Sequence, residues 1–430
     1  MNIIGRSLIV LLLSSTAIAA DGSTGLNASM VSQVKQRLAD SAKLSWELGT
    51  RIQTLLELDT PSFSVFSEDF PPPRDAPDSL DDVIGIARNI VQSKSDGELP
   101  LMEDGSAADP ASNGVGVLIA NWTGASGGNY DQAAADQLTF LLSVTPRAPN
   151  GAISHRVDEA QLWSDFIYMV PPFLAYYGVI TNNESLVEES YNQIKLYRDV
   201  LADDTGMWQH IRLGSFEDRG YWSTGNGWAA MGMLRDRGYW STGNGWAAMG
   251  MLRVLVTIRA SEWSKSMRRH VSDLEDWVRE ILDAMWPKLT DQGMFYNYAD
   301  DPSSFQDAAS AALIAASTYR LSLVAGIHTH LPSAERVHAA LSIVGSNTTN
   351  PNARIISNGW LTPVVNPHSF REEGAESAEG QAFVLQMHAA WADWVEDGQK
   401  GANAAAKSCG SVGWFMVLGV LVGVLGAGVW

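Results

Sequence analysis

Helical periodicity runs through most of the chain and limits it to an all-α fold. Between Met30 and Leu58, apolar residues recur three and four positions apart over many turns, as in an amphipathic helix. Long alternating patterns, which would indicate strands, are absent from the sequence. Similar helical patterns follow at about 80–93, 130–145, 158–178, 185–203, 245–260, 269–287, 305–325, 333–344 and 378–396. Ten or more such helices predict a closed or layered arrangement of helical hairpins.

The organisation predicted from this pattern is one helical domain over about residues 22–400. The stretch PPPRDAPD at 71–78 is interpreted as a turn or loop insertion and not as a domain boundary. With 46% apolar residues, the chain can build a large core without disulfides, and its one cysteine, Cys409, lies in the tail. A net charge of −19 with no basic stripe excludes general nucleic-acid binding. We expect a monomer without metal or cofactor.

Both ends of the chain carry targeting patterns. Residues 1–19 combine Arg6, an apolar run and small residues, which predicts a secretory signal peptide cut after Ala19 or Ala20. Residues 401–413 form an Ala/Gly-rich stalk, and 414–430 are apolar. The tail predicts a glycolipid (GPI) anchor attached at Asn403, and a single membrane span is the alternative. The predicted location is therefore secreted or at the cell surface. Four sequons agree with that route and predict glycosylation at Asn27, Asn121, Asn183 and Asn347.

An identical tandem duplication interrupts the pattern: residues 218–235 and 236–253 both read DRGYWSTGNGWAAMGMLR. Two undiverged units do not make a repeat architecture, which favours a recent duplication or a gene-model error with one functional copy. Because STGNG suits a helix interior poorly, the barrel helix is expected to follow it. We expect the second copy to supply the functional segment, with 222–235 as an exposed excursion. The competing outcome is that the first copy is used and the second extruded.

A carboxylate within an aromatic helix face is the first candidate for chemistry. Asp165 lies in WSDFIYM, flanked by Trp163, Phe166 and Tyr168. Burial there would raise its pKa and allow it to donate a proton near neutral pH. The plain alternative is a helix-capping or solvent-facing Asp. His155 and His210 have equally plain interpretations as loop or core histidines.

Several segments in the same order resemble one family of enzymes. TPRAPNGAISHR followed by QLWSDFIYMVPPFLAYYG resembles a segment of the unsaturated rhamnogalacturonyl hydrolases, family 105 of the glycoside hydrolases. GMWQH at 206–210 and WSTGNGW at 222–228 or 240–246 are similar to later elements of that family. The resemblance implies an (α/α)6 barrel of six helical hairpins with its site in a cleft at one end.

The resemblance also implies a reaction and a set of residues. Family enzymes hydrate the C4=C5 double bond of a terminal unsaturated uronic acid. Asp165 matches the acid that protonates the alkene and helps to activate water, and Asp109 matches a second family carboxylate. Substrate-binding residues are expected among aromatic, amide, imidazole and thioether side chains that can stack on pyranose rings or read hydroxyls: Trp163, His155, His210, Met169, Trp240, Asn244 and Trp246, or Trp222, Asn226 and Trp228 from the first copy.

One departure from the family pattern bears on substrate choice. Where the family has an arginine within Trp-x-Arg-Gly-Asn, this chain has Thr242, or Thr224 in the first copy. Arg156, or the pair Arg219 and Arg237, could replace that arginine. Two functions are therefore retained: a surface-tethered glycoside hydrolase acting on pectin (rhamnogalacturonan) oligosaccharides, and a non-catalytic glycan-binding or structural wall protein with the same fold.

Overall fold

The computed structural model of the protein describes residues 25–218, 239–345 and 350–402. Helices dominate these ranges, which confirms the all-α prediction. In chain order they are α1 Ala28–Ser41, α2 Ser45–Leu58, α3 Asp81–Ser93, α4 Gly114–Trp122, α5 Tyr130–Thr139, α6 Phe166–Met169, α7 Pro171–Ile180, α8 Glu184–Leu201, α9 Ser241–Ala260, α10 Arg268–Met285, α11 Ala308–Ala325, α12 Leu331–Leu341 and α13 Ala378–Glu396. The predicted signal peptide, most of the stalk with Asn403, the apolar tail and the sequon at Asn347 lie outside the described residues.

The helices form a double ring. The inner ring is α2, α4, α7, α9, α11 and α13; each packs against the next, and α13 returns to pack against α2. The helices α1, α3, α5, α8, α10 and α12 pack around the outside. This is the (α/α)6 barrel expected from the resemblance. Since every inner helix follows an outer one, all six inner helices begin at the same end of the barrel.

Burial differs between the rings in the way their sequences require. Outer helix α10 buries one stripe, with Val271, Leu274 and Val278 three or four residues apart. Inner helix α11 is buried on all sides from Ala308 to Ser322, and its many alanines let neighbouring helices approach closely. By length and composition α11 could cross a membrane, but 83% of its apolar window is buried inside the protein. Its position in the inner ring accounts for its apolar character.

A buried ionic cluster ties four inner helices together near the other ends of α2 and α9. Glu57 accepts hydrogen bonds from Arg253 at 2.6 Å and from Arg320 at 3.2 Å, and all three side chains are at most 3% exposed. Beside them, Gln386 donates to Thr54 at 2.9 Å. Buried charges of this kind are stable only when paired, so the cluster fixes how the helices are arranged.

Three helix predictions are wrong in detail. The pattern over Met30–Leu58 covers two helices, because the chain turns through an extended segment at 42–44 and Glu47 caps α2 by accepting from the backbone N–H groups of Lys43 and Leu44. The pattern at 158–178 contains a loop, a short strand and then α6 and α7.

The third correction concerns STGNG in the second copy, which forms the first turn of α9 instead of preceding the helix. The first turn of a helix has backbone N–H groups without helical partners, so it tolerates residues that a helix interior does not. Its side chains also find partners, since Ser241 donates to the carbonyl of Tyr296 at 2.6 Å.

Short two-stranded ribbons occupy the connections between helices. The pairs are β1 Leu162–Trp163 with β2 Ile211–Arg212, β3 Phe295–Tyr296 with β4 Gln306–Asp307, β5 Val344–Gly345 with β6 Ile355–Ile356, and β7 Val364–Asn366 with β8 Ser369–Gly374. All except β5–β6 are antiparallel. The strands β1 to β4, β7 and β8 lie in connections that run from an outer helix to an inner one. They therefore stand at the end of the barrel where the inner helices begin.

Candidate active site

A cleft of about 360 Å³ opens at the end where the inner helices begin. Every inner helix contributes to it, through its first turn or through the connection before it. Its lining combines carboxyl, aromatic and imidazole groups: Trp46, Asp104, Ser106, Asp109, His155, Arg156, Trp163, Asp165, Met169, Trp240, Thr242, Trp246, Ala309, Val365, Pro367, His368, Phe370, Ser377, Glu379 and Phe383. The predicted carboxylates Asp109 and Asp165 thus face the same space.

Asp109 is the carboxyl group of the cleft whose surroundings favour the protonated form. It begins a 3-10 turn before α4, and its N–H donates to Ser106 Oγ at 3.0 Å. Burial, followed by the charges of Asp104 and Asp165, raises its pKa well above the ordinary value. A carboxyl group in this state can donate a proton near neutral pH.

Asp165 is in the opposite charge state. It lies between β1 and α6, with Oδ2 3.4 Å from His210 Nε2. Burial, the largest single cause, would raise its pKa, but the charge and hydrogen bond of His210, together with smaller effects that include His155, outweigh burial and lower the pKa. The expectation that the aromatic surroundings raise the pKa of Asp165 is therefore wrong, because a buried cation lies behind the carboxylate.

His210 lies beneath the cleft and does not line it. Its ring is 1% exposed and stands between two carboxylates, with Nδ1 2.9 Å from Asp218 Oδ2. Burial acts to lower its pKa, but Asp165 and then Asp218 outweigh burial and raise the pKa to about 9. Asp218 also accepts from Tyr298 Oη at 3.0 Å. His210 is thus a buried imidazolium that holds Asp165, and its predicted direct contact with substrate is not supported by its position.

His155 is neutral and forms one wall. Its ring stacks on Trp163 with 4.8 Å between centroids. Nε2 lies 3.7 Å from Asp109 Oδ1 and 3.3 Å from Ser106 Oγ. Burial lowers the pKa of His155 to about 4, so the imidazole serves as a hydrogen-bonding group beside Asp109 and not as its counter-ion.

The second copy of the duplicated segment contributes to the cleft. Trp240 and Trp246 line it, and Trp240 Nε1 donates to Asn297 Oδ1 at 3.0 Å. Trp246 is 2% exposed and packs edge-on against Tyr168, so it closes the floor and has little surface for stacking. Asn244 does not reach the cleft: it is fully buried and binds the backbone of Trp208 through both amide atoms.

The remaining predicted residues divide into two groups. Trp163 and Met169 line the cleft. The first-copy candidates and the pair Arg219 and Arg237 lie outside the described residues, as do Thr224 and the predicted excursion at 222–235. Within the described ranges, no group of three or more His, Cys, Asp or Glu side chains is arranged to hold a metal ion.

Several cleft residues lie outside the sequence prediction. Trp46 lies in the first turn of α2 and Glu379 in the first turn of α13, and the indole N–H of Trp46 donates to the Glu379 carboxyl. Burial and the nearby charge of Glu47 raise the pKa of Glu379 to about 7. Asp104 and Phe370 also line the cleft. Helical periodicity alone marks Trp46 only as a helix residue.

The geometry defines a barrel of six helical hairpins with a single cleft, in which the pKa values of two carboxyl groups are shifted in opposite directions. The family model described as Glycosyl Hydrolase Family 88 matches residues 79–236, a range that contains Asp109, Asp165 and His210. The chain is 25% identical over 196 residues to the unsaturated rhamnogalacturonyl hydrolase YesR of Bacillus subtilis (strain 168). That match covers 43% of this chain and 50% of YesR, so the chain spans about half the length of this curated relative.

Solved structures share the fold over nearly the whole molecule. A possible member of family GH105 from Klebsiella pneumoniae superposes with a TM-score of 0.64 at 16% identity, covering 90% of this chain and 99% of that one. A glycosyl hydrolase of family 88 from Bacteroides vulgatus gives 0.59 at 13% identity, covering 85% of this chain and 98% of that one. The chain is thus similar in sequence to glycoside hydrolase family 88 over residues 79–236, and it shares its fold with solved structures from families 88 and 105.

Proposed function

We propose that this protein is a glycoside hydrolase that adds water to the C4=C5 double bond of a terminal unsaturated uronic acid. The observation that carries the proposal is that Asp109 and Asp165 line one cleft, with the pKa of Asp109 raised and that of Asp165 lowered. Hydration of an alkene needs both a proton donor and a proton acceptor, and this pair supplies them. The match to YesR supports the substrate class, and we propose lyase-generated rhamnogalacturonan oligosaccharides.

The charge states assign the proton transfers. Asp109 donates its proton to C4 as the double bond is consumed, and water forms a bond to C5 while Asp165 takes the water proton. The resulting hemiketal opens at the C5–O5 bond, the proton of its hydroxyl passes to O5, and collapse at C1 releases the second sugar. Transfer of the proton from Asp165 to Asp109 through solvent restores the resting state. The resemblance gives proton donation to Asp165, whereas the lowered pKa of Asp165 suits it better to proton acceptance.

The buried imidazolium makes this division of roles possible. His210 keeps Asp165 ionised although the carboxylate is largely shielded from water. Asp218 and Tyr298 hold the imidazole from the other side, so the ring cannot turn away from Asp165. His210, Asp218 and Tyr298 do not line the cleft and are therefore positioning residues.

Turnover is tested by the loss of absorbance of the unsaturated bond in lyase-treated rhamnogalacturonan. Asp165→Asn and Asp109→Asn should each reduce kcat by roughly two or more orders of magnitude, as expected when a general acid or base is removed. Asp276→Asn, which changes an exposed carboxylate on α10, is the matched control. Near-normal activity of Asp165→Asn in a folded protein would contradict the mechanism.

The pH dependence separates the two assignments. Activity should fall at low pH as Asp165 is protonated and at high pH as Asp109 loses its proton, which gives a bell-shaped profile of kcat/KM. If Asp165 alone supplied the proton, activity would instead rise as the pH falls through the lowered pKa of Asp165. The profile of the parent enzyme decides between them.

The alternative, a glycan-binding protein without activity, is favoured by one observation. Thr242 stands where the family has an arginine, and its hydroxyl donates to Asp307 at 2.8 Å, so this position of the cleft wall has no cationic group for a uronate. Binding of the oligosaccharide without any loss of the double bond, even at high enzyme concentration, would establish this function.

We also propose that the protein is secreted and tethered to the cell surface. Its support is the predicted signal peptide, the apolar tail and the sequons. Among the sequons, Asn27, Asn121 and Asn183 are exposed. Asn27 and Asn183 cap α1 and α8 through Oδ1, which leaves Nδ2 available for a glycan.

A further inference from the structure

The cleft is less negative than its four carboxyl groups imply. All six inner helices begin at this end, so their partial positive charges converge on it. The pKa of Asp109 is raised well above its usual value and that of Glu379 is raised to about 7, which favours the neutral form of both groups in mildly acidic solution. Asp165 faces the imidazolium of His210. An anionic ligand can therefore enter the cleft although the chain carries a net charge of −19.

Arg156 brings a cationic group to the edge of this cleft. It follows His155 directly, and its backbone pairs with Ser106 in an isolated β-bridge. The side chain is 34% exposed, and only Nε has a partner, the Asp158 carboxylate at 3.4 Å, which is itself 65% exposed. Among the described residues, neither Nη1 nor Nη2 makes a hydrogen bond. A guanidinium held in this way presents two parallel N–H groups to a ligand.

The chain leaves room for the guanidinium at this place. A Cβ atom at Gly105 would stand 3.3 Å from Nη2 and 3.4 Å from Nη1 of Arg156, tighter than most contacts of this kind. Glycine at 105 thus allows the side chain to lie over the backbone between Asp104 and Ser106, two residues of the cleft wall. The charge of Arg156 also acts to lower the pKa of Asp109, although burial outweighs it.

Other cations in the described ranges do not replace Arg156. Thr242 occupies the position of the family arginine and is bound to Asp307. Arg371, on β8, lies 3.8 Å from the buried Asp218 and does not line the cleft. In the described part of the chain, Arg156 is the one arginine or lysine that lines it.

We infer that Arg156 binds the carboxylate of the uronic acid through Nη1 and Nη2 and thereby selects acidic over neutral sugars. This inference rests on the proposed function, since it concerns the substrate of that same cleft. It places carboxylate recognition in the connection between α5 and α6, and not at the start of α9 where the family has its arginine.

The experiment compares an unsaturated uronate disaccharide with its methyl ester, which removes the charge and adds one methyl group. Binding to the parent protein, Arg156→Gln and Arg156→Lys is measured by calorimetry, and turnover by absorbance. In Arg156→Gln the Kd and KM of the acid should rise about tenfold, equivalent to about 1.4 kcal/mol, while kcat and ester binding change less than about twofold. Arg156→Lys should recover part of this loss, because it restores the charge without the paired N–H groups.

Arg279→Gln on outer helix α10 is the control for the change in net charge and should leave both ligands unaffected. Equal losses for acid and ester in Arg156→Gln, or no loss for either, would overturn the inference, as would failure of the parent to bind the acid. If the parent binds the acid but does not consume the double bond, the proposed activity fails while the binding comparison still decides the role of Arg156.

Discussion

Replacing Asp218 with asparagine tests the buried imidazolium directly. The pKa of His210 lies at about 9 against an ordinary 6.5, a difference of about 2.5, which corresponds to roughly 3.4 kcal/mol at 1.36 kcal/mol per pH unit. Asp165 supplies the larger part of this effect and Asp218, at 2.9 Å, the rest. The amide of the variant would accept or donate one hydrogen bond without charge. We therefore expect the pKa of His210 in Asp218→Asn to fall by roughly one pH unit.

The sign of the resulting stability change follows from linkage. A group whose folded pKa is raised contributes its full stability below its unfolded pKa of 6.5 and loses it as the pH rises through about 9. Below pH 6.5 the parent should thus gain about 1.4 kcal/mol more from His210 than the variant does. This advantage should disappear by pH values somewhat above 9. Carboxyl groups such as Glu379 titrate alike in both proteins and cancel in the difference.

The assay is urea unfolding of the parent and Asp218→Asn at intervals between about pH 6 and 9.5, with Asp276→Asn as an exposed control. The measured quantity is the difference in free energy of unfolding between the parent and Asp218→Asn at each pH. Loss of the Tyr298 hydrogen bond shifts this difference by the same amount at every pH, so the change with pH reports His210. A difference that stays flat over this range, or that grows with pH, would refute the assignment of His210 as a cation held by two carboxylates.

Three further outcomes are expected. Glu57→Gln leaves the buried guanidinium group of Arg253 without its carboxylate partner and Arg320 with Asp393 alone. The free energy of unfolding should therefore fall by about 3–5 kcal/mol in urea titrations, and a loss below about 1 kcal/mol would contradict the cluster's role. Deletion of 219–236, which removes one copy, should preserve or raise both stability and turnover, and a sharp loss of either would show that the duplication is functional. Phosphatidylinositol-specific phospholipase should release the protein from cells if Asn403 carries a glycolipid anchor; retention with Cys409 still present would indicate a membrane span.

The helices were largely predictable because apolar periodicity reports burial directly. The bounds of α13 are those predicted, and both α3 and α8 begin within one residue of the predicted positions. The break between α1 and α2 has no such signal, since Ala42 and Leu44 keep the apolar pattern while the backbone leaves the helix.

The cleft was predictable only in part. Resemblance in local motifs marked Asp109 and Asp165, which lie within continuous segments. Trp46 and Glu379 meet only because the ring closes, 333 positions apart in the chain, and no local pattern announces such a pair. The lowered pKa of Asp165 depends on His210, whose own charge depends on Asp218. Charge states that arise from a chain of contacts require the three-dimensional arrangement.

The described structure contains Asp218, the first residue of the first copy, and the second copy from Tyr239 onward. Asp218 is held in place by its bridge to Ile211, and the described chain resumes at Tyr239, immediately before Trp240. Asp218 and Trp240 both contact His210, so the ends of the intervening segment lie close together. Every copy starts with the same Asp and continues to the same Tyr-Trp. Genes with one, two or three whole units would thus encode the same cleft, and unequal recombination between the copies could change their number without selection on activity opposing it.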